Sequence, residues 1–152
     1  MSDSTQKGKI QSVLGLIDPA DLGLTMTHEH LLIDFSVMFN PSPDVTTQRM
    51  AHTSVSMENL GWIRQYCYSN LDNLLVLDED TAIEEAMLYQ RHGGGAIVDA
   101  TTIGIGRDPL ALARISRGAG LHVVMGAGYY VDAAQPDRIN EMDEKDIYQE
   151  IV

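Results

Sequence analysis

The apolar residues of the chain fall in short segments that alternate between strand-like and helix-like spacing. Apolar runs bounded by turn residues predict strands, and apolar residues that recur every three or four positions predict helices. We expect a strand or hairpin arm at 10–17, strands at 24–30, 95–102 and 121–126, helices at 57–68, 78–92 and 109–117, and the start of a helix at 147. Alternation of strands and helices in this order predicts an α/β fold built from parallel βαβ units.

The predicted strand at 24–30 ends in the most informative motif of the chain, His28-Glu29-His30. Alternate residues of a strand share a face, so we expect Met26, His28 and His30 to point the same way. Imidazole is a common zinc ligand, and zinc takes four ligands, or three and a water when it is catalytic. The pair therefore predicts half of a metal site, at the strand end where α/β active sites gather. The alternative is a pair of polar side chains in structural hydrogen bonds.

Weaker candidates follow the other two parallel strands. Asp99 lies inside a predicted buried strand, where its carboxylate makes a structural hydrogen bond or supports a metal-bound histidine. The segment 104–107 contains two glycines but lacks the third glycine of a dinucleotide-binding loop, so we interpret it as a flexible loop. Tyr129 and Tyr130 either line a substrate pocket or are ordinary packing residues.

Composition and charge limit the classes of protein that remain. A chain of 152 residues with 44% hydrophobic residues is long enough for one domain with a core. Its 22 acidic and 10 basic residues give a net charge of −12, which argues against nucleic acids and anionic membranes as partners. Cys67 is the only cysteine, so no internal disulfide forms, and we expect a buried, unreactive thiol. With no leader-like or bilayer-spanning run, the sequence predicts a soluble cytoplasmic protein.

Several motifs together resemble one known family. The segment 23–31, which contains the histidine pair, resembles the first-strand motif of the phosphotriesterase family within the amidohydrolase superfamily. The segment 104–108 resembles that family's loop after the second strand. Further segments are most similar to the phosphotriesterase-related branch, namely 62–65, 68–69, 93–96 and 126–133. These motifs occur in the family's order, and the resemblance extends from about Gly8 to the last residue.

The resemblance implies a distorted (β/α)8 TIM barrel with a binuclear metal centre, most simply two zinc ions. His28 and His30 would hold the more buried metal, and a bridging carboxylate, two histidines and an aspartate would come from the fourth and later strands. A metal-activated hydroxide would then attack an ester, amide or phosphoester bond of a small-molecule substrate. The branch resemblance favours an ester or amide over a true phosphotriester, and a homo-oligomer is possible.

The chain departs from the family because it ends before the fourth strand. We therefore expect residues 1–152 to form about three βα units of an unclosed barrel, the first part of a longer zinc-dependent hydrolase. No catalytic residue is expected within this stretch, and the 152 residues alone are expected to be inactive. The alternative is a non-catalytic binding or interaction module, or an inactive truncated paralogue, in which both histidines are structural.

Overall fold

The computed structural model describes residues 6–151 and confirms the α/β class. Its strands are β1 Ile10–Ser12, β2 Gly15–Ile17, β3 Leu24–Glu29, β4 Ile33–Asp34, β5 Leu75–Val76, β6 Gly94–Asp99 and β7 His122–Met125. Its α-helices are α1 Val45–Gln48, α2 Leu60–Gln65, α3 Glu79–Arg91, α4 Pro109–Ala119 and α5 Glu144–Ile151. Short 3-10 turns fill much of the remaining chain. No helix among these described residues is long and apolar enough to cross a membrane.

Three parallel strands form the centre of the fold, in the order β3-β6-β7. Helix α3 returns the chain to β6, and helix α4 returns it to β7, as the alternating sequence pattern predicts. Both helices cover the face of the sheet on which Ile97 and Val123 lie opposite each other. The buried residues between these layers form one core: Leu32, Ala82, Ala86, Ile97, Ala111, Leu112, Ile115, Ala119, Leu121 and Val123.

Side chains at the helix ends fix where α3 and α4 begin. Asp78 accepts a hydrogen bond from the backbone N–H of Thr81 (2.7 Å) and so caps α3. Asp108 accepts from two backbone N–H groups in the first turn of α4, and Pro109 occupies the first helical position. At the other end of α4, Gly120 adopts a φ of 68°, a left-handed conformation that glycine takes without steric cost.

The alternation expected for residues 24–30 is interrupted by a β-bulge. Met26 pairs with Ile97 and Glu29 pairs with Asp99, so three steps along β3 match two steps along β6. A bulge of this kind reverses the facing of the residues that follow it. Met26 packs against the buried core, whereas His28 is exposed. Met26 and His28 thus differ in exposure, and the strict two-residue alternation expected for the strand does not hold through the inserted residue.

The long connection between β3 and α3 differs most from expectation. β4 and β5 pair as a short antiparallel ladder, and the predicted helix 57–68 shrinks to α2, followed by a 3-10 turn at Cys67–Ser69. Buried Asn70 explains part of this difference, because its side-chain amide donates to two backbone carbonyls and its oxygen accepts a backbone N–H. Cys67 is exposed, so the expected buried thiol was wrong.

Both ends of the described chain follow their sequence signals. β1 and β2 form an antiparallel hairpin, and the N–H of Val13 at its turn donates to the carbonyl of Val123 (2.9 Å). Helix α5 begins where Asp143 and Asp146 exchange hydrogen bonds, since the N–H of Asp146 donates to Asp143 (2.8 Å) and the N–H of Asp143 donates to Asp146 (3.4 Å). This reciprocal cap is a variant of the capping box, and it starts the helix at Glu144, three residues before the predicted start.

Candidate metal centre at the end of the first parallel strand

The two histidine rings lie beside each other at the carboxyl end of β3. Their ring centroids are 5.4 Å apart and their planes meet at 78°. His28 is exposed, and His30 is partly buried just after the last residue of the strand. β-Bulges often occur next to active sites, and the bulge in β3, between Met26 and Glu29, includes the position of His28. The structure therefore brings the two predicted imidazoles together at the predicted strand end.

A hydrogen-bonded chain from the neighbouring strand holds the ring of His30. Its Nδ1 lies 2.9 Å from the hydroxyl oxygen of Thr101, and that hydroxyl donates to the carbonyl of Leu32 at 3.0 Å. A hydroxyl has one proton, and a carbonyl oxygen can only accept. Because the Thr101 proton goes to Leu32, the remaining bond has Nδ1–H of His30 as its donor. In the neutral ring, Nε2 of His30 then keeps its lone pair, which is the form in which imidazole binds a metal.

Asp99 links the segments that follow β3 and β6. Its side chain has no solvent exposure, and its two oxygens accept backbone N–H groups from Leu31 (2.8 Å) and Thr101 (2.9 Å). The first bond reaches the segment after β3, and the second reaches the segment after β6. Of the two interpretations left open for Asp99, its contacts match the structural hydrogen bond, and they reach His30 through Thr101 and through the backbone of Leu31.

The described residues contribute two imidazoles to this site and no further cluster. Within residues 6–151, no group of three or more His, Cys, Asp and Glu side chains is arranged to hold a metal ion. His52 lies against the ring of Phe39, and Nδ1 of His92 bonds the carbonyl of Leu88. His122 begins β7 and so lies at the opposite end of the sheet.

Tyr129 and Tyr130, which follow β7, contact residues other than the two histidines. The hydroxyl of Tyr129 meets the sulfur of Met142 at 3.9 Å, and its pKa is raised by burial and by the nearby carboxylate of Glu150. Tyr130 is 39% exposed, and its ring lies edge-on to Phe35 with the centroids 5.7 Å apart. Their role in a substrate pocket stays a prediction.

A cavity of about 510 Å³ lies between β3 and α3 and includes His30 in its wall. Apolar side chains make up most of that wall, among them Met26, Leu31, Ala86 and Ile97. Met26 and Ile97 also pack in the core, so the cavity lies on the helix-covered side of the sheet. The exposed ring of His28 is not part of its wall.

Residues 8–151 match the model of the Phosphotriesterase family, and the chain therefore belongs to that family. N-acetyltaurine hydrolase from Salmo salar is 45% identical over 91% of this chain and 40% of its own length. The enzyme of that name from Homo sapiens is 41% identical over the same shares. The chain thus spans about two fifths of the length of the curated relatives it matches.

Two solved structures share the fold of this chain. A resiniferatoxin-binding protein from Rhodobacter sphaeroides superposes with a TM-score of 0.91 at 40% identity, over 94% of this chain and 40% of that one. A lactonase from Listeria monocytogenes superposes with a TM-score of 0.59 at 24% identity, over 93% of this chain and 36% of that one. At that identity the lactonase supports the fold alone.

Sequence reasoning selected both histidines but missed the threonine that holds one of them. Thr101 is 1% exposed and lies two residues after Asp99, at the end of a predicted strand. A threonine at the end of a strand gives little indication of a functional role, because strands favour threonine for its β-branched shape alone. The contact with His30 spans 71 residues of sequence, so local pattern could not have revealed it.

Proposed function

We propose that this chain forms the first part of a metal-dependent hydrolase that cleaves an amide or ester bond in a small molecule. The observation that carries the proposal is the arrangement of the two imidazoles at the end of β3. Their centroids are 5.4 Å apart, and the hydrogen bond from His30 to Thr101 leaves the other ring nitrogen free. Membership of the Phosphotriesterase family supports the same site.

The residues present fit a divalent metal as part of a larger set of ligands. His28 and His30 would hold it through ring nitrogens, and Thr101 would support His30 from the other side, as outer partners of metal-bound histidines do. A bound divalent ion would lower the pKa of a water molecule and polarise the bond to be broken. The sequence suggests zinc as this ion. The task of this chain's residues is to hold and orient the two rings.

The remaining ligands are proposed to come from strands outside these residues. We infer that β3, β6 and β7 are the first three strands of an eight-stranded barrel, whose later strand ends complete the centre. Three observations support this placement: the strands are parallel, helices connect them, and the histidine pair lies at the carboxyl end of the first strand. The 152 residues alone are proposed to be inactive, as the sequence predicts.

The relatives suggest which small molecule to test first. Those at 41–45% identity are named N-acetyltaurine hydrolases, so we propose an amide of a small acyl group and an acidic amine, with N-acetyltaurine as the first candidate. Zinc as the metal, the cytoplasmic location and a homo-oligomeric state stay predictions from the sequence.

Metal analysis of the purified whole protein tests the site. We expect about two divalent ions per subunit, as in a bridged two-metal centre. The variant His28→Ala/His30→Ala should lose most of this metal and the amide hydrolysis with it. His122→Ala is the matched control, since it removes an imidazole from the opposite end of the sheet. Equal metal content in the wild type and the double variant would reject the site.

A further inference from the structure

We propose that Thr101 is a positioning residue that holds His30 in the tautomer protonated on Nδ1, so that Nε2 is directed to the metal. The inference rests on the proposed function for the identity of the ligand at Nε2. The tautomer itself follows from the hydrogen bonds around Thr101 and can be measured without metal. It thus assigns to Thr101 a role that no sequence signal suggested.

The direction of the two bonds at Thr101 carries the argument. The oxygen of Leu32 is a carbonyl, so the 3.0 Å contact requires the proton of the Thr101 hydroxyl. The hydroxyl can then contribute only a lone pair to the 2.9 Å contact with Nδ1 of His30. A neutral imidazole carries one proton, and this contact places it on Nδ1.

The surroundings of Thr101 keep both hydrogen bonds of its hydroxyl group in place. Its side chain is 1% exposed, so solvent cannot replace either partner. Its own backbone N–H donates to Asp99 (2.9 Å), whose other oxygen accepts from Leu31, the residue after His30. The Asp99 carboxylate therefore fixes the backbone of Thr101 and the backbone of the residue that follows His30. Releasing the hydroxyl from Leu32 would leave a buried carbonyl without its proton donor.

Thr102 provides a matched control from the adjacent position. Its hydroxyl oxygen is buried and, within the described part of the chain, has no hydrogen-bond partner. Thr101→Val and Thr102→Val therefore remove the same group from neighbouring residues, and only the first removes the bond to His30. Thr101→Ser keeps the hydroxyl and tests whether that group alone suffices.

Nitrogen NMR of histidine-labelled, metal-free whole protein tests the tautomer directly. Spectra are recorded well above pH 6.5, the approximate pKa of a free imidazole, and His30 is assigned by its loss in His30→Asn. We expect the Nδ1–H form in the wild type, in Thr101→Ser and in Thr102→Val. In Thr101→Val the population should move toward the Nε2–H form, because Nδ1 has lost its acceptor.

Two results would overturn the proposal. The first is a wild-type spectrum that shows Nε2–H for His30, and it needs no variant to fold. The second is a Thr101→Val spectrum that matches the wild type while the protein remains folded. Thermal melting of each variant identifies loss of folding, and in that case the spectra of the wild type and Thr101→Ser still decide the question.

Titration with zinc alone separates this inference from the proposed function. We expect Thr101→Val to bind zinc roughly 10- to 100-fold more weakly than the wild type, the usual effect of removing an outer partner of a metal-bound histidine. Thr101→Ser and Thr102→Val should stay close to the wild type. If no protein binds zinc but the tautomer shifts as expected, the metal site fails and the tautomer control by Thr101 stands. If zinc binds equally to all, the tautomer has no effect on the metal and the positioning role fails.

Discussion

The two regions that sequence analysis selected as functional, one after β3 and β6 and the other after β7, are built in different ways. After β3 and β6, His30, Thr101, Asp99 and the backbone of residues 31–32 form a buried, continuous set of hydrogen bonds. After β7, Tyr129 contacts a methionine sulfur at 3.9 Å and Tyr130 rests against Phe35. The first region fixes the direction of a single ring nitrogen, whereas the second leaves both phenols in loosely defined contacts.

This difference shows what a strand end must have before it can hold reactive groups. A polar group buried without water depends on its protein partners, so a satisfied buried network has one arrangement. Asp99 and Thr101 at 0% and 1% exposure meet this condition, but Tyr130 at 39% exposure does not. We therefore expect substitutions in the network to have larger effects than substitutions in the tyrosine loop.

The largest effect is expected for Asp99→Ala. The change leaves two buried backbone N–H groups, those of Leu31 and Thr101, without an acceptor. Each hydrogen bond to a charged group contributes about 1.5–3 kcal/mol, so the free energy of unfolding should fall by about 3–6 kcal/mol. Denaturant unfolding of the whole protein measures it.

Two further variants complete the Asp99 experiment. Asp99→Asn keeps one acceptor oxygen and should lie between the wild type and Asp99→Ala. Asp21→Ala removes an exposed carboxylate from a short 3-10 turn and should change stability by less than about 0.5 kcal/mol. If Asp99→Ala were as stable as Asp21→Ala, the buried network would not be the feature that distinguishes the two regions.

Periodicity predicted the parallel sheet well because its elements are locally consistent. Helices α3 and α4 have an aspartate cap at the start, and β6 is an apolar strand covered by helices on one face. The connection before α3 was predicted poorly, since Asn59 and Asn70 make hydrogen bonds to backbone groups that compete with a regular helix. The amide of Asn70 reaches the carbonyls of Met50 and Thr53, which lie 20 and 17 residues away, and a short window cannot contain those bonds.

The candidate site shows the same limit. The histidine pair is a local motif and was found, whereas the bulge before it is a property of the register between β3 and β6. Thr101 is distant from His30 in sequence, and its role depends on which atom accepts the proton of its hydroxyl group. Sequence could therefore predict which side chains bear the chemistry, but not how the neighbouring strand orients them.

An intermediate effect is expected at Gly104, where the two regions meet. A Cβ atom at this position would lie 1.9 Å from the carbonyl oxygen of Ala134, so the loop after β6 and the loop after β7 would have to separate. Forced overpacking of this kind costs about 1–3 kcal/mol, and we expect Gly104→Ala to lose that much stability. The close packing also argues against the flexible loop that the sequence suggested for residues 104–107.

Gly61→Ala is the control for the added methyl group. Gly61 lies in α2, and a Cβ atom there meets nothing within 4 Å. Alanine favours a helix over glycine by about 0.5–1 kcal/mol, so this variant should be as stable as the wild type or more so. Thermal melts of both variants compare them, and a neutral Gly104→Ala would mean that the two loops move independently.

The smallest effect is expected in the tyrosine loop, and it appears only at alkaline pH. Burial, followed by the Glu150 carboxylate, raises the pKa of Tyr129 above its ordinary value. A raised pKa means that the folded protein favours the neutral phenol more than the unfolded chain does. The resulting stabilisation is complete below the unfolded pKa of about 10 and is lost as the pH rises through the folded pKa.

Ultraviolet titration of the wild type against Tyr129→Phe isolates this phenol. We expect the missing transition to have a midpoint above that of free tyrosine. Glu150→Gln should move the midpoint only part of the way back, since burial, the largest single cause, remains. A midpoint at or below that of free tyrosine would show that Tyr129 is well solvated. The loop after β7 would then be still looser than its contacts indicate, and a substrate pocket there would need its walls from other strands.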